Sequence, residues 1–315
     1  MGSSTADLVV FTHPACAGHD PVPGHPERPQ RLAAVMAAFT SDGLRDCQVI
    51  DTPLATRESL LRVHEARHVE RVFVAGASGR PVRLDPDTAM APGSLEAALY
   101  AAGAATAAVD HVMQAPGRRA FCAVRPPGHH ATRATAMGFC LFNNIAVGAA
   151  HALAVHGLER VAIVDFDVHH GNGSQAIFWN DPRVLFASSH QWPLYPGSGR
   201  EDESGAHGNV VNAPLPQGSG GADFRDAWTA RLLPAVEAFR PQLLLVSAGF
   251  DAHASDPLAG LRLLEADYAW LTGELVAIAG RHAQGRIVSM LEGGYDLDAL
   301  TACTRAHALA LRCGG

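Results

Sequence analysis

Charge is sparse in this 315-residue sequence. Asp, Glu, Lys and Arg make up only 17 % of it, and the net charge is −7. No basic block occurs, whereas nucleic-acid binding usually leaves a basic footprint, so no nucleic-acid partner is expected. No apolar run approaches the ~18 residues of a membrane span, so no membrane association is expected either. The six cysteines (Cys16, Cys47, Cys122, Cys140, Cys303 and Cys313) form no C-x-x-C pair. Their irregular spacing, several in apolar stretches, reads as buried free thiols. That suits a reducing compartment and gives a cytoplasmic expectation. The opening Met1–Asp7 lacks a basic segment followed by an apolar one, so it does not read as a secretory leader. Repeats, low-complexity tracts and linkers are missing too, which leaves a single domain over residues 1–315.

What remains is apolar and patterned. Hydrophobic residues reach 48 %. Short apolar runs recur at Leu8–Phe11, Ala120–Val124, Val161–Val164, Val184–Ala187, Leu243–Val246 and Ile287–Leu291. Runs of this length, apolar on both faces, suit strands of a parallel sheet. Helical stripes lie between them. One carries Leu95, Leu99, Ala102, Val109 and Val112; others cover residues 144–156, 223–239, the segment marked by Tyr268, Leu271, Leu275 and Ile278, and 297–311. Alternating strands and helices predict a single-domain α/β fold with a mainly parallel sheet. The Pro/Gly-rich stretches 193–208 and 212–221 read as long loops.

Ligands of open parallel sheets bind beyond the carboxyl ends of the strands. Those ends carry the polar residues here. His129 and His130 follow one run; Asp165, Asp167, His169 and His170 follow the next; then come Ser188, Ser189 and His190, then Asp251, then Glu292 and Tyr295. Asp165, Asp167 and His169 alternate along an extended segment, so their side chains share a side. An isolated D-x-H would read as a capped strand end, but the flanking Asp165, His170 and Gly171 favour a metal site. Two carboxylates and an imidazole suit a borderline cation such as Zn²⁺, with Asp251 as the best third ligand to Asp167 and His169. The tandem histidines beside a metal can remove and return protons, with Asp165 behind His129 and the neutral Asn172 behind His130. Tyr295 follows two glycines and can donate to a developing oxyanion. Phe139, after Gly138, and Tyr195, before Pro196, either wall an apolar slot or pack their loops. His64, His68 and His190 read as ordinary histidines.

Six motifs then point one way. They are Gly24-His25-Pro26-Glu27-Arg28-Pro29, Arg125-Pro126-Pro127-Gly128-His129-His130, Met137 through Asn144, Asp165 through Gly173, Ser247 through His253, and Leu291-Glu292-Gly293-Gly294-Tyr295. In this order, over residues ~18 to ~300, the chain resembles the histone deacetylase family, bacterial class II type, of the arginase/deacetylase fold. The resemblance implies a three-layer α/β/α domain with an eight-stranded sheet. It implies zinc at Asp167, His169 and Asp251, an acid/base pair in His129 and His130, and Tyr295 polarising the acyl carbonyl. Asp165 would orient His129. Gly138, Phe139 and Tyr195 would line an acyl-lysine tunnel, with Arg28 near its inner end and Asp87 at the rim holding the substrate backbone. A structural potassium ion is implied, through Asp165 and groups around Asp167, His169, Ser188 and Ser189. Asn172 matches class II.

The expected activity is zinc-dependent hydrolysis of N-acetyl-lysine in proteins or peptides. The nearest alternative is a small N-acetyl amine, as in acetylpolyamine hydrolysis. The loop 256–262 offers Leu261 and Arg262 where an acidic gate would hold a polycation, which favours the peptide. A catalytically silent acyl-lysine binder needs a broken motif, and a two-manganese ureohydrolase needs more aspartates than this site supplies. Homo-oligomerisation stays open.

Overall fold

The protein is described by a computed structural model covering residues 8–313. The expectation made for Met1–Asp7 falls outside the described residues. The strands are β1 (Leu8–Thr12), β2 (Gln48–Asp51), β3 (Val82–Arg83), β4 (Ala89–Met90), β5 (Arg119–Cys122), β6 (Val161–Asp165), β7 (Val184–Gln191), β8 (Val210–Leu215), β9 (Leu243–Ala248) and β10 (Ile287–Leu291). Eight of them form one sheet in the order β2-β1-β5-β10-β9-β6-β7-β8, and every pairing in it is parallel. β3 and β4 make a separate antiparallel pair. Helices flank the sheet, so this is the α/β architecture that the motifs implied.

The six apolar runs all became central strands, buried almost throughout. The two edge strands were not visible as runs. β2 is largely exposed along its length, so it carries no apolar signature. β8 corrects the loop expected from residue 212: Asn212–Leu215 belongs to the strand. Pro214 suggested a break, but β8 is an edge strand, where a residue without an N–H is tolerated. The stripe over 223–239 is interrupted by a π-helical turn at Trp228–Leu232, and four further α-helices, Gln30–Ala38, Arg57–Leu61, Ala66–Ala77 and Asn172–Phe178, escaped the sequence pattern.

The sheet places the site. The five strands whose ends carry the polar residues are neighbours, β5-β10-β9-β6-β7, although they are scattered through the chain. Because they run parallel, their carboxyl ends share one edge. The register is level there: Asp165 pairs with both Ser188 and Ser247, and Met290 pairs with Ser247. Among the described residues, no helix is long and apolar enough to cross a membrane.

One polar residue sits in the packing beneath that edge. His307, on helix Leu297–Cys313, is fully buried among Phe121, Phe166 and Phe250. Thr272 Oγ1 donates to the Tyr268 carbonyl at 2.6 Å, so it accepts the Nδ1–H of His307 at 2.6 Å. Nε2 is then an acceptor for the Ser289 hydroxyl at 2.8 Å. This fixes a neutral tautomer, and burial depresses the imidazole pKa to about 3. The unfolded chain binds a proton here below its ordinary pKa of about 6.5 while the folded chain does not. The stabilising contribution is therefore complete above that pH and is lost as pH falls toward 3. His307→Gln should be less stable than the parent at pH 7. The gap should narrow by about 1.5 kcal/mol between pH 6.5 and 5.0 in urea unfolding. A gap independent of pH would contradict the buried neutral imidazole.

Candidate active site

A cavity of about 200 Å³ opens beyond the carboxyl edge of the sheet. His129, His130, His169, Gly293 and Tyr295 line it, together with Phe139, Tyr195, Leu194 and Leu258. At its floor His169 backs onto Asp167 and Asp251, and the ligating atoms of the three all lie within 4.8 Å of one another. His169 Nδ1 is 3.1 Å from Asp167 Oδ1 and 3.2 Å from Asp251 Oδ2. Ligands bonded at 2.0–2.1 Å in a tetrahedron sit roughly 3.3 Å apart, so these spacings match a zinc-sized ion.

Backbone groups aim the carboxylates. Asp167 accepts from the N–H of His169 at 2.8 Å and of Gly293 at 2.8 Å, and Asp251 accepts from Val168 N at 3.0 Å. A side chain at Gly293 would collide with both carboxylates, so only glycine lets the β10 turn close on them. Both aspartates are 1 % exposed. Two buried carboxylates side by side are costly unless a cation answers them. Burial opposes charge on His169, yet its bonds to Asp167 and Asp251 outweigh that and push its pKa up to about 10. The charge that holds this proton is the charge a divalent cation would meet.

The paired histidines stand beside this floor, with ring centroids 4.0 Å apart. Their outward nitrogens have different partners. His129 Nδ1 is 3.0 Å from Asp165 Oδ2, and His130 Nδ1 is 2.8 Å from Asn172 Oδ1. Each Nε2 is left on the cavity side. Burial disfavours charge on both rings, but Asp165 and Asp167 reverse this at His129 and raise its pKa to about 10. At His130 burial acts together with the neighbouring His129 and His169, and its pKa falls well below the ordinary value. Asn143 caps helix Asn144–Val155 and donates to the Ala131 carbonyl at 3.0 Å, which ties that helix to the histidine turn.

Sequence reasoning did not assign a role to Glu292. Fully buried, it accepts from Gly128 N at 2.7 Å and His129 N at 3.1 Å, so it holds the turn that carries both histidines. Burial raises its pKa to about 7. Asp256 was missed as well. It accepts from Tyr295 N at 2.8 Å and Leu258 N at 3.0 Å, setting a tunnel wall and the phenol from one carboxylate. Neither carries a local signal beyond its place after a strand.

Two expectations need correction. Arg28 is exposed and does not reach the cavity. Arg31, one turn further on, is instead buried against the Tyr295 ring, because helix Gln30–Ala38 starts there and turns it inward. Its guanidinium lies 4.8 Å from the Tyr295 ring centroid and donates to the Gly294 carbonyl at 2.6 Å and the Glu292 carbonyl at 2.5 Å. Glu27 binds it at 3.0 Å and takes Arg125 in a bidentate pair. Burial opposes that carboxylate's charge, but the two arginines and His19 hold its pKa down to about 2. The second correction concerns the loop at 256–262. Leu261 is buried and Arg262 is exposed away from the cavity; Leu258 is the residue that lines it.

Phe139 and Tyr195 do line the cavity, and Phe139 adopts a left-handed φ of 67°. Gly138 before it packs on the His130 ring, where a side chain would clash. Asp87 is at the rim, but its Oδ1 accepts from Gly138 N at 3.0 Å and from the Thr88 hydroxyl at 2.7 Å, so it braces the wall. The Ser188 and Ser189 hydroxyls are engaged by His190 at 2.9 Å and by Trp228 at 3.0 Å. His64, His68 and His190 are buried and bonded to main-chain groups.

Comparison with known proteins follows this geometry. The profile of the histone deacetylase domain matches residues 25–311. The chain is 43 % identical over 278 residues to a histone deacetylase-like amidohydrolase of Pseudomonas aeruginosa, covering 87 % of this chain and 73 % of that one. It is 38 % identical over 312 residues to a probable deacetylase of Archaeoglobus fulgidus, covering 97 % and 86 %. The crystal structure of the HDA15 HD domain superposes with a TM-score of 0.91 at 36 % identity, covering 98 % of this chain and 88 % of that one. The match runs through every strand end that feeds the cavity, and the chain belongs to the histone deacetylase family.

Proposed function

We propose that this family hydrolase removes the acetyl group from N-acetyl-lysine in proteins or peptides, using one zinc ion at Asp167, His169 and Asp251. The buried Asp–His–Asp floor carries the reading, because its donor set and spacing suit zinc and its two carboxylates balance a dication. When bound, such an ion polarises the acyl carbonyl and acidifies water. The chain's own groups supply the rest. His130 Nε2, kept neutral, accepts a proton from the attacking water. His129, kept protonated by Asp165, steadies the growing negative charge and supplies a proton to the departing amine. The Tyr295 hydroxyl, held protonated by burial, donates to the tetrahedral oxyanion. Phe139, Tyr195 and Leu258 wall an apolar sleeve for the lysine methylenes.

The sleeve supports a lysine side chain over a polyamine. Asp87 is the one carboxylate among the cavity-lining residues, and it is already bonded to Gly138 and Thr88. All 24 basic residues of the sequence are arginine, so the chain contains no lysine of its own to serve as substrate. Asn172 behind His130 supports the class II reading. A structural potassium ion at Asp165 belongs to the same reading. Ser188 and Ser189, with their hydroxyls engaged, would offer it main-chain oxygens.

Three measurements test this. Acetate release from an acetyl-lysine peptide should stop on chelation and return with zinc, and kcat/KM should exceed that for acetylspermidine. A preference for the polyamine would overturn the peptide assignment. Tyr295→Phe should lower kcat by roughly 10²-fold or more with little change in KM; unchanged kcat would remove the phenol from the mechanism. Asn172→Asp places a carboxylate on His130 Nδ1 and raises that imidazole's pKa. The acid limb of the kcat/KM profile should then move to higher pH, since His130 must be neutral to act. An unmoved limb would show that His130 is not the base.

A further inference from the structure

We propose a second site for a borderline divalent metal ion, on the surface, formed by Asp110, His151 and His156. Among the described residues this is the only other group of three whose ligating atoms lie within 4.8 Å of one another. Asp110 sits near the end of helix Ser94–Met113, His151 lies in helix Asn144–Val155, and His156 follows that helix directly. A single oxygen, Asp110 Oδ1, is 2.7 Å from the Nε2 of both histidines, and the two ring centroids are 5.6 Å apart. Three donors thus converge on one point from two helices that pack side by side.

The chemistry and the burial both favour an ion there. Two imidazoles and one carboxylate make a ligand set for Zn²⁺, Co²⁺ or Ni²⁺. The histidine side chains are only 12 % and 23 % exposed, so packing already fixes the rings. Asp110 is 50 % exposed, which leaves water access for the remaining coordination position. Opening the 2.7 Å contacts to roughly 3.3 Å would give the spacing of ligands around a tetrahedral zinc. The group at the cavity floor differs in having two carboxylates, both almost fully buried.

One neighbour opposes binding. Arg62 Nη1 is 3.2 Å from His151 Nδ1. An imidazole that binds a metal through Nε2 carries its proton on Nδ1, where it would face the guanidinium. Arg62 also reaches Glu58 at 2.9 Å, so it has a partner to turn toward when the metal enters. Arg62 therefore sets the affinity. An ion held here clasps two helices, one of which is capped by Asn143 beneath the paired histidines.

The test is a zinc titration of the full chain, read by equilibrium dialysis and by Tm. The parent should take up two equivalents. His151→Ala/His156→Ala should take up one, keep its kcat, and lose several degrees of the zinc-dependent rise in Tm. His151→Gln/His156→Gln, closer in volume, should do the same. Asp251→Ala should keep the surface equivalent while losing the cavity one, so failure at either site is told from failure at the other. Arg62→Ala should tighten the surface site severalfold. Equal zinc uptake and an equal Tm response in the parent and both double variants would overturn the proposal.

Discussion

The site depends on one electrostatic constraint: Asp167 and Asp251 are buried next to each other at the carboxyl edge of the sheet. Two carboxylates in a low-dielectric setting repel and lose hydration, so the fold must spend hydrogen bonds to keep them there. The N–H groups of Val168, His169 and Gly293 do this. Each comes from a segment that has just left a strand, where its N–H is not needed by the ladder. The same constraint explains the backbone at Gly293, since any side chain would occupy the space of the carboxylate oxygens. A divalent cation would answer the remaining charge without a further protein donor.

The two histidines show how one environment yields two proton affinities. Their rings are 4.0 Å apart and equally deep. The partner of Nδ1 differs, a carboxylate for His129 and an amide for His130, and Asp167 lies 3.9 Å from His129 Nε2. A charged His129 then makes charge on His130 harder still, because like charges at this distance repel. The pair thus favours a proton on His129 and none on His130. Glu292 keeps that division steady by gripping the Gly128 and His129 N–H groups from β10, so the histidine turn cannot shift independently of the strand that carries Tyr295.

Much of this was legible in the chain, for a physical reason. Central strands of a parallel sheet are buried on both faces, so they appear as apolar runs, and the residues that follow them must face the ligand edge. His129, Asp167, His169, Asp251 and Tyr295 were readable on that basis. Edge strands lack the signature: β2 is largely exposed, and β8 contains Pro214. The choice between Arg28 and Arg31 was not readable, because it depends on where helix Gln30–Ala38 begins and hence which arginine turns inward. Leu258 was missed in favour of Leu261 and Arg262 because the path of an irregular loop is fixed by distant bonds. Asp256 holds one end of it and Gln191 accepts from Gly260 N at 2.7 Å.

The bonds that escaped the sequence are those that join the tunnel to the rest of the domain. Glu27 precedes the first long helix, Arg125 follows β5, and Arg31 reaches the carbonyls of Glu292 and Gly294 after β10. A buried carboxylate shared by two guanidiniums is stable only if every donor is satisfied, and here Arg125 also binds the Cys16 and His19 carbonyls at 2.9 and 2.8 Å. The network therefore fixes three separate chain segments relative to the Tyr295 turn. It also places a permanent positive charge 4.8 Å from the Tyr295 ring centroid. The motif at residues 24–29 thus acts on the site through Glu27 and the neighbouring Arg31, although it lies far from every other site residue in the chain.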